Sequence, residues 1–391
     1  MTVMMQTFDW DAPMKENKLG QWWNHAAQTV SELAASGLST LWLPPISKCT
    51  SPTSNGCDPY DYFDLGDFDQ KRSVKTAYGN RAELEDLIAT LRRHKMSALA
   101  DMVLGHNSGA DRQQVNPLDK QRRWTRFVPK SGKFPRDWNS FHPCRYERYM
   151  VEGKKYADFP HLCHRNPRVY EAMFDYARQC IDELDFDGFR FDFVKGYGAW
   201  IIGLLAKYQY QKKDDQKKNG CEFTPFVVGQ YWSGPEDIGG WLDAARAVTD
   251  RQIAAFDTPL RYKLKDVSDT PNYDLRNLTD EGSVAAGWPF HAVTFVENHD
   301  MRPSEIANAK LLGYSFILTP RRLSLHLLAG LLHLPTGAPR PGQWHRRADH
   351  CASSSYWRRV LCPSRGLRPL HHAARRHRAA EWPCLSNEYS R

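Results

Sequence analysis

The sequence predicts an α/β fold of the TIM (β/α)8 barrel type, with helices packed outside a parallel sheet. Short apolar runs alternate with amphipathic helical patterns along the chain, and about seven such runs precede residue 320. The runs are apolar throughout, which is typical of strands that are buried on both faces of a parallel sheet. A series this long favours a closed barrel over an open sheet.

The elements follow in order along the chain. The predicted strands are residues 4–10, 39–45, 97–106, 186–194, 224–232, 252–259 and 291–300. The predicted helices are residues 19–36, 81–95, 166–184 and 199–209. One face of the first helix carries Trp22, Trp23, Ala26, Val30 and Leu33. Residues 107–160 interrupt the alternation and predict an inserted subdomain after the third strand, so the barrel itself spans residues 1–106 and 161–319.

The composition excludes several classes of protein. With 41% hydrophobic and 25% charged residues among 391, the chain is neither disordered nor fibrous. No apolar run reaches the length of a membrane-spanning helix. The first residues lack a basic segment followed by an apolar stretch, so we expect a cytoplasmic location. The nine cysteines contain no CxxC pair and no Cys/His cluster with zinc spacing, and an odd count favours free thiols in a reducing compartment.

The last 71 residues differ in composition from the rest of the chain. Residues 321–391 contain 13 Arg, no Lys and only three acidic residues, so the net charge of +8 comes entirely from this tail. A basic nucleic-acid-binding tail, a disordered tail and a stretch translated in the wrong reading frame all fit this composition. Nucleic-acid-binding tails usually mix Lys with Arg and need few Trp, so Trp344, Trp357 and Trp382 favour the frame error.

Polar side chains stand at the ends of four predicted strands, in the order Asp101 and His106, Arg190 and Asp192, Gln230, and finally Asn298, His299 and Asp300. In such barrels the chemistry takes place at the carboxyl ends of the strands. A single Asp is more often a helix cap or a salt-bridge partner, and a single His is more often structural. Two carboxylates with an Arg and two His at one mouth fit a retaining glycosidase, which needs carboxyl groups about 5 Å apart.

These residues lie in four ordered motifs: DMVLGH (101–106), GFRFDFVKGY (188–197), VVGQYW (227–232) and FVENHD (295–300). With YDYFDLGDFDQ (60–70), they make the sequence resemble the α-amylase family, glycoside hydrolase family 13, over residues 4–319. The second motif is most similar to plant-type and liquefying enzymes. The resemblance implies retaining endo-hydrolysis of α-1,4-glucosidic bonds in starch, glycogen and maltooligosaccharides. We expect a monomer that takes an α-glucan substrate and binds neither nucleic acid nor membrane.

The resemblance also implies a role for each matching residue. Asp192 would be the nucleophile, Asp300 would stabilise the distorted sugar, and Asp101 would be a structural partner of Arg190. The expected substrate-binding side chains are His106, Arg190, Lys195, His299 and Tyr60.

At one catalytic position the sequence departs from the family. Gln230 stands where the family has the Glu that acts as general acid and base, and an amide has no proton to give. We therefore expect impaired hydrolysis. A non-catalytic glucan-binding protein is the alternative, and a natural, an engineered and an erroneous Gln230 look the same in the sequence. Cys57 stands where the family usually has a Tyr that stacks on the sugar.

Two further departures concern the structural calcium that the resemblance implies. Gly105 replaces an Asn ligand and His161 replaces an Asp, which leaves the carbonyl of Gly196 as a ligand. Calcium binding is thus an expectation with its usual side chains altered.

The resemblance ends close to the change in composition. After residue 319 the family continues with an eighth strand and a small β domain, and neither is recognisable here. We expect both to be missing or scrambled and residues 320–391 not to form a native domain. The segment LSLHLLAGLLHL (323–334) is expected to form a helix that covers part of the gap.

Overall fold

The structure is a computed structural model that describes residues 2–12, 14, 18–148, 159–212, 223–318 and 325–329. Its strands are β1 (Val3–Gln6), β2 (Thr40–Trp42), β3 (Lys48–Cys49), β4 (Pro59–Asp61), β5 (Ser97–Met102), β6 (Arg112–Val115), β7 (Arg122–Arg126), β8 (Gly188–Phe191), β9 (Phe226–Gly229), β10 (Ala254–Phe256), β11 (Ala292–Phe295) and β12 (Leu325–Ala329). Its helices are α1 (Trp22–Ala35), α2 (Arg81–Arg93), α3 (Pro167–Arg178), α4 (Ala199–Lys207), α5 (Pro235–Arg246), α6 (Thr258–Asp269), α7 (Val284–Gly287) and α8 (Lys310–Ile317).

Eight strands close into a barrel in the circular order β1, β2, β5, β8, β9, β10, β11, β12. Each neighbouring pair is parallel. The predicted TIM (β/α)8 barrel is therefore confirmed. The observed strands are shorter than the predicted ones, because β5 ends at Met102 and β8 at Phe191. The residues beyond these ends are loops at the mouth of the barrel.

Amphipathic helices supply the layer around the sheet. The predicted face of α1 is buried in the core, as expected from its spacing. Gly37, which ends this helix region, has φ +87°, a left-handed conformation that favours glycine. Helix α2 begins with a capping box in which Asn80 and Glu83 each accept a hydrogen bond from the other's backbone N–H. These local signals explain why the helix boundaries were predictable to within a few residues.

The end of the barrel differs from the prediction. Residues Leu325–Ala329 form a parallel strand between β1 and β11, at the place where we expected the eighth strand to be missing or scrambled. We expected residues 323–334 to form a helix, but the described part of this segment, Leu325–Ala329, is a strand. Open strands present rows of unpaired N–H and C=O groups, and the backbone of any short extended segment can satisfy them. The expected loss of the C-terminal β domain concerns residues outside those described.

The segment between β5 and α3 contains the antiparallel hairpin of β6 and β7. Isolated bridges join Phe141 to Leu162 and His106 to His161, so the start and end of the segment lie together. The chain divides into Met1–His350 and Cys351–Arg391, and the second unit lies outside the described residues. In the part of the chain that is described, no helix has the length and apolar character needed to cross a bilayer.

Candidate active site

A buried chain of charges runs from Asp101 through Arg190 to Asp192. Arg190 Nη1 donates to both carboxylate oxygens of Asp101, at 2.7 and 3.0 Å, and its Nη2 lies 3.1 Å from Asp192 Oδ1. Trp42 Nε1 donates to Asp101 at 2.9 Å, and the guanidinium lies over the Trp42 ring. Burial raises the pKa of Asp101 to about 6 while Arg190 opposes the rise, so this carboxylate is ionised at neutral pH.

Strand pairing explains why these side chains meet. Asp101 and Arg190 are register partners on β5 and β8. Backbone hydrogen bonds continue past the strand ends, from Asp192 N to Met102 O and from Gln230 N to Phe191 O, both at 3.0 Å. The ladder therefore places Asp192 and Gln230 on neighbouring strands at the same mouth.

Gln230 and Asp300 form the second half of the site. Gln230 Nε2 donates to Asp300 Oδ2 at 2.6 Å, and the Gln230 side chain is almost fully buried. Its Oε1 is buried and has no hydrogen-bond partner among the described residues. A buried acceptor without a partner can take a hydrogen bond from a hydroxyl group.

His299 is held in an aromatic cage beside Asp300. Its Nε2 lies 3.4 Å from Asp300 Oδ1, and its Nδ1 pairs with Gln6 at 2.8 Å. The rings of Phe8 and Trp10 both lie 5.2 Å from the imidazole. Burial lowers the pKa of His299 to about 4, so the imidazole is neutral near pH 7 and can donate a hydrogen bond.

His106 and Cys57 contact each other close to Asp192. His106 Nε2 pairs with the carbonyl of Cys57 at 2.8 Å, and its ring stacks on Phe159 at 5.0 Å. Burial and the nearby charge of Asp192 raise the pKa of the Cys57 thiol, which is therefore protonated. The thiol supplies no aromatic face for a sugar.

Two expected sugar-binding residues have other contacts. Lys195 Nζ donates to the carbonyl of Trp232 at 3.1 Å, which points it along the fifth-strand loop. Tyr60 is buried, its hydroxyl donates to Asp111, and the ammonium of Lys71 lies 3.7 Å from its ring centroid. A glucose ring could not stack on this face of Tyr60 without displacing Lys71.

The sequence reasoning missed two residues that orient the site. Trp42 holds Asp101, and Gln6 holds both the ring and the backbone N–H of His299. Both end observed strands, β1 and β2, but they lie inside the longer predicted strands 4–10 and 39–45. They were missed because the predicted strands ran past them, so their place at the mouth had no signal in the sequence.

The residues at the expected calcium positions do not fit that ion. A Cβ on Gly105 would lie 3.4 Å from the Tyr197 ring, and the Gly105 carbonyl already accepts from Leu162 N at 3.0 Å. His161 offers imidazole nitrogens, whereas calcium requires six to eight oxygen ligands. We derive no catalytic step from calcium.

Comparison with known proteins agrees with this geometry. The family model of the α-amylase catalytic domain matches residues 27–256. The cytoplasmic α-amylase of Escherichia coli is 30% identical over 81% of this chain and 71% of its own length. The α-amylase of Bacillus licheniformis is 29% identical over 81% of this chain and 68% of its own. The crystal structure of the α-amylase of Geobacillus thermoleovorans with acarbose has a TM-score of 0.56 at 19% identity, covering 83% of this chain and 69% of that one.

Proposed function

This chain belongs to the α-amylase family, and on that premise we propose a retaining, endo-acting glycosidase for α-1,4-glucans such as starch, glycogen and maltooligosaccharides. We further propose that its hydrolytic rate is impaired by Gln230. The observation that carries the proposal is the ion pair from Arg190 to Asp192 beside the Gln230–Asp300 contact. One carboxylate is oriented for attack, while its partner position holds an amide.

The first chemical step belongs to Asp192. Arg190 orients the Asp192 carboxylate through the 3.1 Å ion pair, and this carboxylate can attack the anomeric carbon and form a covalent glycosyl ester as the glycosidic bond to the leaving oxygen breaks. Asp300 and the neutral His299 would hydrogen-bond the hydroxyl groups of the distorted sugar, and His106 would bind the same ring from the other side. These interactions would strengthen as positive charge develops on the sugar.

The site lacks the second carboxyl group of a retaining glycosidase. In a retaining glycosidase this group protonates the leaving oxygen and later activates water. Such acid–base catalysis raises the rate by about 10²- to 10⁴-fold. Gln230 can do neither, but it keeps the shape and hydrogen-bonding reach of Glu. We therefore expect glucan binding with little turnover.

The test compares the chain with its Gln230→Glu variant on starch, with reducing ends as the readout. We expect the variant to be faster by about 10²-fold or more, because a carboxyl group restores proton transfer. Asp192→Asn in the Gln230→Glu background is the control and should abolish the gain. An inactive but folded Gln230→Glu variant would contradict the proposal.

The second candidate function is non-catalytic glucan binding, which the buried acceptor on Gln230 favours. Calorimetry with maltoheptaose distinguishes the two candidate functions. Tight binding by both proteins without cleavage by either would support a binding protein, whereas cleavage restored by Glu would support a crippled enzyme.

The remaining proposals concern oligomeric state, domain organisation and cellular location. We propose a monomer whose residues 107–160 form an inserted domain beside the barrel. We also propose a cytoplasmic location, which the name of the E. coli relative supports. Sedimentation tests the first of these, and cell fractionation tests the second.

A further inference from the structure

Three potential metal ligands meet where the inserted segment rejoins the barrel. They are His142 and Glu147 of the inserted segment and Cys163 just beyond it; their ligand atoms all lie within 4.8 Å of one another, and Cys163 is fully buried. Cys163 lies 16 residues beyond Glu147 in the chain, so no local sequence spacing indicates the cluster.

The spacing of the ligand atoms matches a tetrahedral ion. Glu147 Oε2 lies 3.8 Å from His142 Nε2 and 3.9 Å from Cys163 Sγ. A tetrahedron with metal–ligand bonds of about 2.0 to 2.3 Å has edges of about 3.3 to 3.8 Å. Both contacts are longer than ordinary hydrogen bonds, and a metal ion between these atoms would account for them.

Cys144 lies beside these ligands but is not one of them. Its sulfur accepts a hydrogen bond from the backbone N–H of Glu147 at 3.3 Å, so the backbone next to the Glu147 carboxylate is held in place.

The donor types select the ion. Calcium and magnesium require oxygen ligands, so a sulfur and an imidazole disfavour them. A thiolate, an imidazole and a carboxylate are the three types of side-chain ligand that zinc takes. We propose that His142, Glu147 and Cys163 bind one zinc ion, with a water molecule at the fourth position.

The ion would link the inserted segment to the residues just before α3. His142 N donates to His161 O, and Cys163 N donates to Ser140 O, both at 2.9 Å, so the two stretches are already paired. The second stretch follows Phe159, which stacks on His106 at the mouth. Zinc would thus stabilise one wall of the sugar site without touching the substrate.

The experiment uses the full chain, reduced and stripped of metal, and titrates it with Zn²⁺ and with Co²⁺. We expect one Zn²⁺ per chain by competition with a chromophoric chelator, and a thiolate-to-metal charge-transfer absorption with Co²⁺. Zn²⁺ should raise the melting temperature by about 3 °C or more. Cys163→Ala and His142→Ala should each weaken Zn²⁺ binding at least about tenfold.

Cys49→Ala is the matched control, because Cys49 is equally buried but lies outside the cluster. It should bind Zn²⁺ like the parent chain. Melting each variant in chelator shows that it folds without metal, so a loss of binding is not a loss of structure. The proposal is overturned by substoichiometric Zn²⁺, by Co²⁺ spectra without thiolate absorption, by unchanged binding in either cluster variant, or by a Cys144–Cys163 disulfide in place of the ion.

Discussion

Gln230 Nε2 lies 2.6 Å from Asp300 Oδ2, so the amide at the end of β9 is a direct partner of the carboxylate that follows β11. This contact joins the two halves of the mouth through a neutral donor. Replacing the amide with a carboxyl group would put two acids in hydrogen-bond contact. Like charges this close cannot both ionise, so one acid would retain its proton to higher pH.

The first prediction follows from that contact. In Gln230→Glu, the shared proton should give an active enzyme whose rate falls on the alkaline side as the pair loses it. The measurement is kcat/KM for maltoheptaose against pH. A rate independent of pH across the titration of the pair would show that the new carboxyl group is not the acid.

The second prediction concerns the buried pair of Asp101 and Arg190. Asp101→Asn should lower the free energy of unfolding by about 3 kcal/mol, because it leaves a buried guanidinium short of a charged partner. Asp175→Asn is the control, since Asp175 pairs with Arg178 on the exposed face of α3 and should cost less than about 1 kcal/mol. Equal losses of unfolding free energy in the two variants, measured by urea denaturation, would contradict the stabilising role of the buried pair.

The third prediction tests the packing beneath Gln230. A Cβ on Gly229 would lie 2.3 Å from the Trp241 ring, so Gly229→Ala should destabilise the fold by about 1 to 3 kcal/mol. On α5, Gly240 has nothing within 4 Å of an added Cβ. Gly240→Ala should instead stabilise by about 0.5 to 1 kcal/mol, because glycine weakens a helix interior. Thermal melts of the two variants should move in opposite directions.

The fourth prediction concerns acid stability. The pKa of His299 is about 4 in the folded protein and 6.5 when unperturbed. The unfolded chain therefore binds this proton first, and the native state loses stability as the pH falls from 6.5 towards 4. His299→Gln should reduce that loss by about 3 kcal/mol. An identical dependence of unfolding free energy on pH in both proteins would contradict the buried neutral imidazole.

Periodicity and motif order were enough to predict the barrel and the residues at its mouth. Strand ends could be located because apolar runs stop there, and this placed Asp192, Gln230 and Asp300 together. Lys71 covers one face of the Tyr60 ring through a contact that no spacing reveals, and the sugar-binding role of Tyr60 stays a prediction.

Other features depend on contacts between distant parts of the chain. The cluster of His142, Glu147 and Cys163 forms only when the two ends of the inserted segment pair. The closing strand Leu325–Ala329 lies in a stretch whose composition differs from the rest, so its side chains gave no signal for a barrel strand. There the edges of β1 and β11, rather than the local sequence, determine the conformation.

The most direct test of the central claim uses maltosyl fluoride, because fluoride leaves without needing a proton. If Asp192 is an intact nucleophile and Gln230 is the missing acid and base, the chain should react once and then stop, because no base activates water. Mass spectrometry should find one maltosyl group per chain on the peptide that contains Asp192, and none in Asp192→Asn. Binding of maltosyl fluoride without formation of a covalent adduct would contradict the account.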